Sequence, residues 1–275
     1  MYPEYQFIQH HEYRLPYQVF GNGENLLFAF HGFGKTSDDF KEYAKTIGAT
    51  YTIIAFDFFY HGPHSIDLNT PLPPISNSNL AGILEKLMWD NKKVNCSLLG
   101  YSLGGRLVLG LIHKIPNRIQ NVFLIAPDGL RTGLMQRFVS GSEIGKKVGF
   151  QVVKNPTFSK SIAKLATQVG ILSKKKGLFV ISNLESKDFR LRAIRTWLIL
   201  KQFSIHQKLV IKYLNNRPIN IDLIFGKYDK IIPSNLGLNL KSKLKKNSSF
   251  HEIEAGHSLL YKVDEISKII NSRPL

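Results

Sequence analysis

Eight short apolar runs, rich in Val, Ile, Phe and Leu, alternate along most of this chain with longer segments of helical periodicity. No other feature constrains the fold as strongly. An apolar run of five to eight residues bounded by turn signals is short for a helix and fits a strand. The runs are QFIQHHEY (6–13), YQVFG (17–21), ENLLFAF (24–30), YTIIAFD (51–57), VNCSLLGY (94–101), NVFLIAP (121–127), INIDLIFG (219–226) and SSFHEIEA (248–255). Between them, residues 37–48, 79–91, 102–115, 234–246 and 258–272 carry helical spacing, with Ser37 and Ser234 placed to cap two of these helices. Strands alternating with helices predict an α/β fold: a mostly parallel sheet, opened by a hairpin-like pair and covered by helices on both faces. Its ligand site is expected at the carboxyl ends of the strands.

The alternation stops at Pro127 and resumes at Pro218. Only helical patterns lie between, so residues 128–218 read as an all-helical cap, or lid, inserted after the sixth main strand. Residues 1–127 and 219–275 are then the core domain. Within the cap, Phe158, Ile162, Leu165, Val169 and Leu172 form one stripe, expected to pack in the core and in part to line an acyl pocket. The same segment carries 18 Lys+Arg against 4 Asp+Glu, so it supplies +14 of the chain's formal +17.

At 275 residues, 43% hydrophobic and 21% charged, the chain can bury one large core and has no sign of wholesale disorder. The single cysteine, Cys96, cannot form an intrachain disulfide, and MYPEYQFIQHHEYRL lacks the basic and apolar regions of a secretory signal. A cytoplasmic location is the expectation. Arg106 interrupts the most apolar stretch, SLLGYSLGGRLVLGLI, which therefore falls short of the about 18 residues of a membrane span. A soluble or at most peripheral protein follows.

GYSLGG (100–105) follows an apolar run and precedes a helical segment. A chain of this length contains G-x-S-x-G by chance about one time in ten, so the pattern needs support from elsewhere. The strand-to-helix context is that of a nucleophile elbow, in which Gly100 and Gly104 let backbones approach and Ser102 is lifted to the end of the sheet. A serine nucleophile needs a base and a group to orient that base. His257 lies just after the last strand run and Asp229 just after INIDLIFG, so all three side chains emerge from carboxyl ends of strands. Asp128, in LIAPDGL, competes for the role of the acid. HGFG (31–34) offers the Phe33 N–H as an oxyanion donor alongside the N–H of Leu103. His31 reads as a structural hydrogen-bonder in that loop rather than as a base.

On these residues the chain resembles the α/β-hydrolase fold superfamily over nearly its full length. The matching segments are His31 to Gly34, Asp57 to Ser65, Gly100 to Gly105, Gly226 to Pro233 and Gly256-His257, in the family's order. The resemblance implies an eight-stranded sheet with a helical cap, catalytic Ser102, Asp229 and His257, and oxyanion donors Phe33 and Leu103. The segment DFFYHGPHS departs from the family's D-x-x-G-x-G-x-S by placing Tyr60 where the first glycine often lies.

The expected activity is hydrolysis of a carboxylic ester or thioester through an acyl-enzyme. The basic cap either recognises an anionic small-molecule substrate or an anionic membrane surface, or it only keeps the cap soluble; salt dependence separates these. The resemblance also allows a carbon–carbon bond lyase or hydrolase, with Arg131, Arg137, Arg190, Arg192 and Arg195 as possible partners of substrate carboxylates. A third reading is a ligand receptor with a slow triad. No H-E-x-x-H or Cys/His ligand spacing is present, and GNG (21–23) lacks the third glycine of a dinucleotide fingerprint, so no metal and no cofactor are expected. No nucleic-acid motif accompanies the basic charge.

Overall fold

The computed structural model of the chain describes residues 4–130, 147, 151, 153–168, 184, 186–245 and 247–274. Its sheet has eight strands: β1 (Gln6–His10), β2 (Tyr13–Phe20), β3 (Asn25–Phe30), β4 (Tyr51–Phe56), β5 (Cys96–Tyr101), β6 (Ile119–Ile125), β7 (Asn220–Gly226) and β8 (Ser248–Ile253). Their order across the sheet is β1-β2-β4-β3-β5-β6-β7-β8. β2 pairs antiparallel with both β1 and β4, and β3 to β8 run parallel. This is the mostly parallel eight-stranded sheet with intervening helices of the expected fold. The order turns back at β3, which lies between β4 and β5, so the topological switch point of the sheet lies where the chain leaves β3 and β5.

The central parallel strands β3 and β5 are buried along nearly their whole length, and their sequences are accordingly mostly apolar rather than alternating. Every residue of CSLLGY in β5 is buried. In β3, Leu27, Phe28 and Ala29 are fully buried, and Phe30 stacks on Phe56 of β4 at 5.1 Å between ring centroids. Each such Leu or Phe side chain contributes about 1.5–3 kcal/mol by leaving water.

The first two strands divide differently from the sequence expectation. The chain reverses at His11-Glu12, with His11 in the left-handed region at φ 52°, so QFIQHHEY contains the hairpin turn rather than one strand. β2 begins four residues before the run YQVFG, and Pro16 stays inside it, opposite Phe7. Counting from the closing pair His10–Tyr13, Phe7–Pro16 falls on a non-hydrogen-bonded pair, so the missing N–H removes no bond to β1. On the other side the Pro16 carbonyl accepts from Asp57 N–H at 2.9 Å.

The capping expectations are corrected in the same way. The turn of helix at Ser37–Tyr43 is capped by Thr36, whose N–H donates to Asp39. Ser37 is instead buried, its N–H donating to Asp57 Oδ1 at 2.6 Å and its hydroxyl to Gln18 at 2.7 Å. Ser234 precedes the helix Asn235–Lys241 but makes no side-chain capping bond.

The chain divides into two compact units: Met1–Ser65, Ser76–Arg131 and Phe203–Leu275 form one, and Ile66–Ile75 with Thr132–Gln202 form the other. The second unit contains the helices Pro156–Gln168 and Lys187–Ile199. Val153, Leu191 and Ile194 form its small core, against which Leu68, Trp197 and Leu198 pack. In the expected stripe, Phe158 and Leu165 are exposed; among the described side chains of their helix, Ser159 and Ala163 are buried. Val169, Leu172 and the side chain of Ile162 lie outside the described residues. Among the described residues no helix is long and apolar enough to cross a membrane.

Candidate active site

Ser102 occupies the turn between β5 and the helix Leu103–Leu111, with φ 51° and ψ −112°. A non-glycine residue in this conformation is strained, and surrounding structure must hold it there. Here the Ser102 N–H donates to Ile125 O at 3.0 Å, while its carbonyl accepts from Gly105 N–H at 3.0 Å and Asp128 N–H at 2.8 Å. Gly104 is required by space: a Cβ there would stand 1.9 Å from Phe30 O. The pattern G-x-S-x-G thus records a helix start pressed directly against the end of β3.

The Ser102 Oγ lies 3.0 Å from Nε2 of His257. On the other side of the imidazole, Nδ1 lies 2.7 Å from Asp229 Oδ2. With Nδ1–H donating to the carboxylate, Nε2 is left as the acceptor facing the serine. The carboxylate is buried and fully engaged, since its Oδ1 also accepts from Ile231 N–H at 2.8 Å and Ile232 N–H at 2.9 Å. The loops carrying the two residues are laced together: Lys227 N–H donates to Ile253 O at 2.8 Å and Tyr228 N–H to Ala255 O at 2.9 Å. Residues 102, 229 and 257, far apart in sequence, therefore meet at the carboxyl ends of β5, β7 and β8. Asp128 stands apart from this chain of bonds, held by Arg106 Nε at 2.8 Å and Gly129 N–H at 2.7 Å.

Leu103 is the first residue of its helix, where N–H groups lack intrahelical acceptors. Phe33 lies in the turn closed by Lys35 N–H donating to Gly32 O at 3.1 Å, and its ring meets His61 edge-on at 5.3 Å. His31 is buried, with Nδ1 2.7 Å from Gly32 O and Nε2 accepting from Phe58 N–H at 3.0 Å. Acceptance at Nε2 places the proton on Nδ1, so the ring is neutral, and burial pushes its pKa below the ordinary 6.5. Both nitrogens are thereby committed to main chain. Tyr60, which stands where the resemblance led to a glycine, adopts the left-handed backbone conformation at φ 68°.

Two groups of polar contacts went unrecognised in the sequence. The Tyr101 hydroxyl donates to the His257 carbonyl at 2.8 Å, and its ring lies 5.4 Å from the imidazole. Tyr261 donates to Asp39 at 2.7 Å and accepts from Lys35 Nζ. No local pattern marks either, because the partners are more than 150 residues apart. Of the arginines considered for substrate carboxylates, Arg190 donates to the Val153 and Leu184 carbonyls, and Arg195 to those of Leu68 and Asn69. Arg131 and Arg137 lie outside the described residues.

A family model described as alpha/beta hydrolase fold matches residues 25–262. Among curated proteins, 140 residues, 50% of the chain, are 27% identical to the dihydrolipoyllysine-residue acetyltransferase component of the acetoin cleaving system of Cupriavidus necator. A further 128-residue match, 24% identical and covering 46% of the chain, is to an uncharacterized protein of Mycobacterium tuberculosis. These matches span about a third of each relative, 36% of its length. Among solved structures, a thermophilic esterase from Thermogutta terrifontis superposes with a TM-score of 0.69 at 15% identity, over 98% of this chain and 97% of that one. The thioesterase domain of the curacin biosynthetic pathway gives a TM-score of 0.65 at 15% identity, over 99% and 100%. At such identity the likeness is one of fold.

Proposed function

Because this chain belongs to the alpha/beta hydrolase fold family, we propose that it is a serine hydrolase which cleaves carboxylic esters or thioesters through an acyl-enzyme. One observation carries the reading: the unbroken hydrogen-bond chain from Ser102 Oγ through His257 to Asp229, built on a serine with φ 51°. A strained residue that presents its hydroxyl to an imidazole acceptor is the arrangement nucleophilic catalysis requires.

In this mechanism Ser102 Oγ attacks the carbonyl carbon while its proton passes to His257 Nε2. Asp229 keeps the productive tautomer and stabilises the imidazolium that forms. The tetrahedral oxyanion accepts from the N–H groups of Phe33 and Leu103; loss of one such donor costs on the order of 3 kcal/mol. Collapse breaks the bond to the alkoxide or thiolate, and His257 returns its proton to the leaving group. Water, deprotonated by His257, then attacks the acyl carbon and releases Ser102. No step calls for a metal or cofactor.

The substrate is a small ester or thioester, and the +14 of residues 128–218 favours one with a carboxylate or phosphate. Exposed charges are screened by salt, so kcat/KM for such a substrate falls as ionic strength rises, and a flat response removes the anionic part of the reading. Arg190 and Arg195 are engaged by main-chain carbonyls, which speaks against these two as partners of substrate carboxylates in a carbon–carbon lyase.

The direct test is intact-mass analysis after reaction with a fluorophosphonate, followed by turnover on p-nitrophenyl esters and acyl thioesters of rising chain length. Wild type gains one probe mass and Ser102→Ala none. Full turnover by Ser102→Ala, or no labelling of folded wild type, overturns the proposal.

A further inference from the structure

Tyr101 and Ser102 are neighbours, yet their side chains serve different partners. Tyr101 is the last residue of β5 and is buried, while the turn at Ser102 swings the next side chain out of the sheet. The Tyr101 ring occupies the space between two loops. Toward the oxyanion loop it leaves no room for a side chain at Gly32, where a Cβ would lie 2.9 Å from Tyr101 Cε1. Toward the base it faces the His257 ring at 5.4 Å, tilted by 33°. Its hydroxyl donates to the His257 carbonyl at 2.8 Å.

That last bond matters because of what His257 stands on. His257 begins a five-residue helical turn, His257–Tyr261, whose backbone is already non-helical at Ser258. So short a turn has little stability of its own. It is fastened from outside: Tyr43 OH donates to Leu260 O at 2.6 Å, Tyr261 OH to Asp39, and Tyr101 OH to His257 itself. Of these, only the Tyr101 bond reaches the residue that faces Ser102. The imidazole is then held at two points, by Asp229 on the ring and by Tyr101 on the main chain.

We propose that Tyr101 is a positioning residue for His257: its hydroxyl fixes the main chain of the base and so sets the 3.0 Å approach of Nε2 to Ser102 Oγ. The proposal rests on the serine-hydrolase reading. Without the hydroxyl the His257 carbonyl loses its donor, the turn relaxes, and fewer molecules present the serine–imidazole pair at proton-transfer distance. Binding of substrate involves neither group, so the loss falls on kcat and on the rate of probe labelling, with KM unchanged.

Tyr101→Phe keeps the ring and removes only the hydroxyl. Tyr43→Phe removes a comparable bond from the same turn, three residues further on, and serves as the comparison. For both variants, melting temperature, the second-order rate of fluorophosphonate labelling, and kcat and KM on a p-nitrophenyl ester are measured. The expected result is a similar fall in melting temperature for both, with labelling and kcat down about tenfold in Tyr101→Phe and within about twofold of wild type in Tyr43→Phe. Tyr101→Phe that labels at the wild-type rate overturns the proposal. Equal losses of labelling in both variants also overturn it, since they reduce Tyr101 to general support of the turn. No labelling of folded wild type overturns the hydrolase reading itself, and this inference with it.

Discussion

Arg106 Nε donates to Asp128 Oδ2 at 2.8 Å, so the carboxylate that follows strand β6 pairs with an arginine rather than with His257. Asp128 spends its other oxygen on Gly129 N–H at 2.7 Å. The carboxylate that faces the imidazole is that of Asp229, at 2.7 Å.

Exchange of each acid for its amide therefore gives unequal results. Asp229→Asn can present an N–H to Nδ1 and so favour the wrong tautomer, and kcat is expected to fall about 10³–10⁴-fold. Asp128→Asn loses an ion pair whose carboxylate side is 42% exposed, and kcat is expected to stay within about threefold. Steady-state hydrolysis of one p-nitrophenyl ester by both variants checks this.

Gly62 and Gly34 have similar backbones, at φ 78° and φ 74°, but different surroundings. A Cβ at Gly62 would lie 1.8 Å from the buried Asp57 Oδ2, whereas one at Gly34 would meet nothing within 4 Å. Gly34→Ala carries the left-handed strain alone, about 1 kcal/mol, while Gly62→Ala adds a collision and costs about 3 kcal/mol or more. Denaturant unfolding of the two variants should separate them clearly; equal losses would mean that strain alone governs both.

At the other end of the sheet, Asp222 is buried beneath Arg273, which donates to both its oxygens at 2.6 and 2.7 Å, with His251 Nε2 2.7 Å away. Arg273→Ala leaves a buried carboxylate short of its cation and is expected to cost about 3 kcal/mol of stability. Fluorophosphonate labelling of the folded variant should be unaffected, because Asp222 lies near the start of β7, away from the residues at its carboxyl end.

Stability should also decline in mild acid. The pKa of His31 is held below 6.5 by burial, and those of His10 and His113 are displaced in the same direction. Since the unfolded chain binds these protons first, folded stability is fully present above about 6.5 and is lost as pH falls from there toward the lower folded values. Melting temperature measured from pH 7.5 to 5 should fall in wild type and fall less steeply in His31→Gln, which is less stable at pH 7.5 to begin with. A slope unchanged by His31→Gln would assign the effect to other groups.

Much of the scaffold was legible because its signals are local. Apolar runs bounded by turns marked all of the parallel strands, and each residue of the Ser102, Asp229 and His257 set could be placed just after a strand. The errors arose where a local signal meets a longer-range alternative. Ser37 looks like a cap, but the buried Asp57 and Gln18 compete for it and Thr36 takes its place. Phe158 and Leu165 look like part of a core stripe, but both are exposed.

The sequence by itself determined which segments are the parallel strands, that the sheet is mostly parallel, and which residue types stand at the carboxyl ends of its strands, because periodicity and turn chemistry act over a few neighbouring residues. Only the tertiary structure decided which carboxylate meets His257, that His31 has both nitrogens tied to main chain, and that Tyr101 grips the residue its neighbour faces. Each of those outcomes depends on hydrogen bonds of 2.7 to 3.0 Å, most of them between segments far apart in the chain, and spacing along the sequence carries no measure of such distances.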